Sequence, residues 1–410
     1  MRSGGGAAAA RDAVVVLCHA CPINPLPMPS KHVRVLDSLA EILPQDWDRL
    51  AGDSPFLRHA FLHALHETGC ASTATGWTPT YVTHWEDGTL SGAMPLYLKT
   101  HSYGEYVFDW SWADAYQQHG LRYYPKLLCA VPFTPATGSR LLAPTAGARR
   151  SLLDTAFDLA ADTQASSLHI LFPPVEQAAE LEARGLMLRS SVQFHWENPG
   201  YRDFDDYLAT MSHDKRKKIK QERRRVREAD IHFRWLSGDQ ATAADWDFFT
   251  RCYNRTYRQH HSTPYLTRAF FGRLAESMPG NVLLVLGERD GKPVASAMNM
   301  HNGHTLYGRY WGTIEFHSGL HFETCYYQAI EFCIARGLKL FEGGAQGEHK
   351  LARGLLPTRT LSAHWLAHPQ FAMAVKRFLE REAHGIGNYL DELNEHSPFK
   401  PAAGEPRLEV

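Results

Sequence analysis

The sequence contains no uninterrupted apolar run approaching the roughly 18 to 20 residues that a membrane-crossing helix needs, so no spanning segment is expected. It also lacks an excess of either charge. With 43 Lys and Arg against 44 Asp and Glu, the net charge of -1 excludes a global attraction to nucleic acid or anionic lipid and leaves only local patches to consider. Cysteine is sparse and irregular: seven in 410 residues, an odd number without a framework, read as reduced thiols of a cytoplasmic protein. Cys18 and Cys21 form a lone CxxC with no second pair to complete four zinc ligands. No G-x-S-x-G nucleophile elbow and no dinucleotide-binding glycine pattern is present, which leaves covalent hydrolase chemistry and nicotinamide chemistry without support. The apolar stretch at Ala13 to Cys18 is too short for a signal core, and residues 1–32 are expected to be a flexible segment.

What is present is a long, degenerate repeat. Tyr81 to His84, Glu86-Asp87-Gly88 and Ala93 to Leu98 read as strand, turn and strand; Val282 to Leu286, Arg289-Asp290-Gly291 and Val294 to Met300 read the same way. Each hairpin is followed by Tyr-Gly-x-Tyr, at Tyr103 to Tyr106 and Tyr307 to Tyr310, expected as a strand with one buried face. Each copy continues with a helix, Arg149 to Asp162 or Phe322 to Arg336, then a strand, Ser167 to Phe172 or Leu338 to Glu342, and closes on His-Trp, at His195-Trp196 and His364-Trp365. This order is an α/β plan with a mixed (α+β) sheet in each half. The expected ranges are a first domain over 33–199 with an insertion at 111–147, a second over 200–385, and a C-terminal tail over 386–410.

Several local patterns carry chemistry. His59, His63 and His66 share a helix face at spacings of four and seven, but HxxHE is neither zincin order, and a partly exposed histidine face is the simpler reading. Lys215 to Arg227, within a helix expected over 212–228, holds nine cations against Glu222, with Ile219 and Val226 as a narrow docking stripe. Its exposed cations read either as a solvated face or as a site for a polyanion, CoA phosphates or transfer RNA. Phe341-Glu342-Gly343-Gly344-Ala345-Gln346-Gly347-Glu348-His349-Lys350 lies where a strand ends and a short helix begins, where glycines let backbone amides approach a ligand and Glu348 or His349 can take a proton from an amine. Gly319, Leu320 and His321 open the helix that holds Glu323, and its free amides suit a pyrophosphate.

These residues also carry a family resemblance. Pro55 to Leu62, Ser111 to Tyr116, His119 to Leu127, Val131 to Pro135, Gly308 to Gly312, Leu320 to Glu323 and Gly344 to Lys350 resemble the FemAB-like, peptidoglycan-biosynthesis-related branch of the GNAT superfamily, over about Pro55 to Glu382. Gly343 and the loop Thr313 to Gly319 depart from the family pattern. The resemblance implies two tandem GNAT-like domains and an N-acyltransferase without a tightly bound cofactor. Its cosubstrate would be acyl-CoA or, as in peptidoglycan-branching enzymes, aminoacyl-tRNA, and its acceptor an amine. A non-catalytic GNAT-like binding module is the competing class.

Within that frame the expected catalytic groups are Glu348 or His349, with Glu323 second. Donor contacts are assigned to Arg309, Tyr310, Trp311, Gly319, Leu320, His321, Gly344, Gln346, Gly347 and Lys350. Trp112, Tyr116, Arg122, Tyr123 and Lys126 read either as an acceptor wall or as core and interface residues.

Overall fold

A computed structural model of the chain describes residues 31–345 and 347–400. The lone CxxC, Gln346 and most of the expected flexible segment lie outside them.

Among the described residues, alternating and continuous apolar runs build fourteen strands. In the first half they are β1 (Lys31–Leu36), β2 (Trp77–Pro79), β3 (Tyr81–Glu86), β4 (Thr89–Met94), β5 (Leu96–Lys99), β6 (Lys126–Cys129), β7 (Ser167–Leu171) and β8 (Met187–Glu197). The second half contributes β9 (His232–Leu236), β10 (Val282–Arg289), β11 (Lys292–His301), β12 (Thr305–Thr313), β13 (Leu340–Ala345) and β14 (Leu356–Leu366). Both Asp-Gly turns form as read. Asp87, Gly88, Asp290 and Gly291 all have positive φ, the geometry that matches a hairpin turn to strand twist.

Strands β1, β3 and β4 form a small antiparallel sheet, and the other eleven form one continuous sheet in the order β2-β5-β6-β7-β14-β8-β13-β12-β11-β10-β9. The halves exchange their last strands. β14, which ends the second half, pairs with β7 of the first, while β8, which ends the first, pairs with β13 of the second. β8 and β14 then pair with each other from Leu356↔His195 to His364↔Met187. The last strand of each of the ranges 33–199 and 200–385 is therefore lodged in the other half's sheet.

Two local expectations are corrected. Tyr103 to Tyr106 is not a strand: Gly104 and Tyr106 both have positive φ and Tyr103 is exposed, so the chain turns there. The strand equivalent to β12 is instead β6, inside the segment read as an insertion, and it runs parallel to β7 as β12 runs parallel to β13. The expected tail is also partly helical, because Pro369–Glu395 is one helix running past residue 385. Val375, Leu379 and Leu393 are its buried face.

Candidate functional site

β12 and β13 are hydrogen-bonded only from Thr305↔Leu340 to Tyr307↔Glu342. Beyond that point they part. Gly308 and Gly343 follow on the two strands: a Cβ at Gly343 would lie 2.4 Å from Leu355 Cδ2 and force that side chain to shift, and one at Gly308 would lie 3.1 Å from Phe341 Cε2, a tight contact. On its other side β12 carries a β-bulge, since Met298 faces Tyr310 and Asn299 faces Gly308, leaving Arg309 as the extra residue. A cavity of about 100 Å3 opens here, bordered by Asn299, Arg309, Tyr310, Trp311, His321, Cys325 and Tyr326. A second cavity of about 300 Å3 shares Trp311 and His321 with it and continues along Thr313 to His317.

One wall is the helical segment spanning 320–336. It begins after Gly319, whose φ of 90° favours glycine, and its middle, Glu323–Tyr327, is π-helical. Such bulges re-aim side chains and recur at functional sites. Here His321 and Tyr326 border the cleft, while Glu323 and Tyr327 turn toward the basic helix His213–Glu228. His321 stacks on Trp311 with centroids 4.4 Å apart, and burial, helped by the nearby His349, lowers its pKa to about 4, so its imidazole is neutral at pH 7. The Tyr326 hydroxyl lies 3.0 Å from His349 Nε2, and burial pushes its pKa well up. Lys350 Nζ donates to Gly344 O at 3.0 Å and burial lowers its pKa to about 8.

On the opposite face of the sheet, at the same parting of the strands, stands a group that sequence reasoning missed. Glu342 is 7% exposed, burial raises its pKa to about 8 against the pull of Arg309 and Arg140, and among the described residues its carboxylate has no hydrogen-bond or ion-pair partner. It lay inside the polar cluster read from the sequence, but only the register with Tyr307 and His195 places it at the parting of the strands.

A family model described as peptidoglycan biosynthesis/recognition, the FemAB-like family, matches residues 38–401. The chain belongs to the FemAB-like family. Among solved structures it is similar to FemX, with a TM-score of 0.52 and 11% identity, covering 82% of this chain and 98% of that one. A tandem GNAT protein from the clavulanic acid biosynthesis pathway matches at a TM-score of 0.44 and 12% identity, over 83% of this chain and 99% of that one. L-PGS from Bacillus licheniformis matches at a TM-score of 0.47 and 8% identity, over 70% and 86%. At 11% identity the likeness to FemX shows the fold. A search among curated proteins returns no significant match. The fold is α/β with one large mixed sheet, and the family is one of peptidoglycan biosynthesis/recognition.

In this FemAB-like chain the expected donor residues partly converge. Arg309, Tyr310, Trp311 and His321 border the cleft, Leu320 lies at the larger cavity, and Gly344 and Gly347 form the turn above Lys350. The expected catalytic groups do not meet. Glu348 is exposed, accepts from Tyr389 Oη at 2.8 Å and lines a different cavity between β8 and the Pro369–Glu395 helix. Glu323 is held by Arg223 at 3.0 Å, and of the three only His349 approaches the cleft, through Tyr326. In the acceptor set, Trp112, Tyr116, Tyr123 and Lys126 are buried, which is the core reading of the two left open. Lys126 is fully enclosed with Glu105 and Asp109, Tyr123 donates to Asp109 at 2.6 Å, and Trp112 packs edge-on to His364. Only Arg122 is exposed, beside a separate surface cavity.

In the first half, residues 130–140 pack into the space past β6. Val131 to Ala136 are all buried, Gly138 N donates to Phe172 O at 3.0 Å, and Arg140 Nη2 donates to Ala136 O at 2.7 Å. His59 is buried with Nε2 2.8 Å from Leu39 O, and among the described residues no cluster of three His, Cys, Asp or Glu is arranged to hold a metal. No described helix is long and apolar enough to cross a membrane.

Proposed function

We propose that this protein is an N-acyltransferase working in the cleft between β12 and β13. The observation that carries this reading is the parting of two parallel strands at facing glycines, beside a bulge at Arg309 on the strand whose Arg309 to Trp311 border the opening. A thioester or ester carbonyl held there meets backbone amides that polarise it, and an acceptor amine attacks directly. The N–C bond forms as the C–S or C–O bond breaks; the amine gives up a proton and the leaving group gains one. Tyr326, neutral and aimed into the cleft, is placed to donate to the leaving atom, with His349 fixing its hydroxyl. Holding both reactants in one geometry supplies much of the rate.

Acyl-CoA is the first donor class of this reading, with CoA phosphates beside the start of the 320–336 helix. A specific feature favours a second, aminoacyl-tRNA. A groove of about 1040 Å3 runs along the basic helix, lined by Arg216, Lys217, Lys220, Arg224 and Arg227. Calorimetric titration with acetyl-CoA, a longer acyl-CoA and aminoacyl-tRNA separates them. Thioester binding weakened by Cys325→Leu, which fills the small cavity, supports the first; tRNA binding that falls steeply with salt supports the second. Binding of any of them without transfer to an amine would favour a binding module.

A further inference from the structure

Glu342 occupies the last position of β13 that pairs with β12, one residue before those two strands separate. By strand alternation it faces away from Phe341, whose ring is in the core with Leu306 and Tyr326, and toward the face shared by Tyr307 and Phe56. That face is the seam between the halves. Its charged groups are already committed. Arg309 donates to Phe133 O and lies over the Phe56 ring, while Arg140 donates to Ala136, Ser139 and Gly138 carbonyls. His195, beside Glu342 across the β8 pairing, has its Nε2 3.2 Å from Gln193 Oε1, and burial lowers its pKa to about 4, so it brings no positive charge. A buried carboxylate without a partner opposes folding. A role in folding alone does not account for one at the parting point of the cleft.

We infer that Glu342 is the general base of the amine attack, and that the acceptor amine enters from the seam between the halves, opposite the 320–336 helix. This rests on the cleft being the transfer site. As the amine nitrogen bonds to the acyl carbon, its proton passes to the Glu342 carboxylate, and it is released to water once product leaves. The donor side and the acceptor side of the cleft are thereby divided between the two faces of one sheet. Tyr326 and His321 serve the first and Glu342 the second. Burial that holds the carboxyl near pH 8 matches a base that must take a proton from an alkylammonium-like nitrogen at neutral to mildly alkaline pH.

The test uses the full chain and Glu342→Gln, with Glu342→Asp as a conservative control. The first measurement needs no donor: infrared difference spectra across pH 6 to 10. A protonated-carboxyl band lost near pH 8 in the wild type and absent in Glu342→Gln is expected; a Glu342 carboxyl that stays protonated up to pH 10 cannot accept a proton and overturns the proposal. The second follows thiol release from acetyl-CoA with glycinamide as the probe amine. Glu342→Gln is expected to lower turnover by about 10²- to 10⁴-fold, with acetyl-CoA affinity unchanged and the rise of rate with pH abolished, while Glu342→Asp retains part of it. Near-wild-type turnover in Glu342→Gln overturns the inference. Failure of the wild type to bind any acyl donor instead removes the reading of the cleft, whatever the spectra show.

Discussion

At the scale of single residues, two buried ionic arrangements differ in how they are compensated. Glu222 accepts from Arg353 at 2.9 and 3.0 Å and from the Tyr327 hydroxyl, joining the basic helix to the 348–353 turn and the π-helical segment. Arg353→Ala strands that carboxylate and is expected to cost about 3 to 5 kcal/mol in denaturant unfolding. Adding Glu222→Gln should recover much of the loss, and a double variant no better than the single would show that the loss comes from packing of the Arg353 stem. Glu342 has the opposite character. Its folded pKa, about 8, lies above the usual carboxylate value of about 4.3 in unfolded chains. Its contribution to stability is therefore fully present below about pH 4, is lost as pH rises toward 8, and is constant beyond that. Glu342→Gln, which mimics the protonated form, should gain thermal stability over the wild type as pH goes from 5 to 8.5; a difference independent of pH would contradict the burial argument. The sequence displayed both glutamates inside polar clusters and gave no means of ranking them, because partnering is decided by residues more than a hundred positions away, such as Arg353 for Glu222.

At the scale of elements, the basic helix shows how local pattern and tertiary contact divide the work. The stripe of Ile219 and Val226 buries as its spacing requires, and Glu222 joins it because Arg353 is waiting. Arg223 is drawn out of the exposed set by Glu323 and Glu331 and lies 4.3 Å from the Phe204 ring centroid. Lys217, Lys220 and Arg224 remain exposed on the groove. Changing these three to Gln should reduce the log-log salt slope of tRNA binding by about 2 to 3, at 0.7 to 0.9 per cation. An unchanged slope would assign the groove to solvent. The hairpins were legible because Asp-Gly turns act over four residues. The false strand at Tyr103 to Tyr106 arose because the same aromatic spacing serves a packed turn once Gly104 and Tyr106 adopt positive φ. The π-helical stretch had no signature in the residues themselves.

For the whole molecule, the exchange of β8 and β14 makes the sheet one object. A fragment ending at residue 199 leaves β7 without β14, and one beginning at 200 leaves β13 without β8, so each exposes a row of unpaired backbone groups. The two halves expressed apart, 31–199 and 200–400, are expected to show no cooperative unfolding by circular dichroism, and to recover it when refolded together. Two independent transitions in the intact chain would count against a shared core. At the seam, the paired residues His169 and His364 bring their Nδ1 atoms to 2.7 Å, so one ring must donate and the other accept; burial keeps both neutral.

The sequence by itself determined the elements with a short-range cause: turns from Asp-Gly, an amphipathic basic helix from its spacing, and a doubled α/β plan from a repeat. It also supplied several residues of the cleft's border, since Arg309 to Trp311 and His321 stand in contiguous motifs. Tertiary structure alone decided which strand lies beside which, that residues 130–140 pack into the space past β6, and that Glu342 rather than Glu348 stands at the parting of the strands. The physical reason is range. Periodicity and capping act within a turn or a strand, whereas strand pairing, burial and charge compensation depend on partners that only the folded chain brings together.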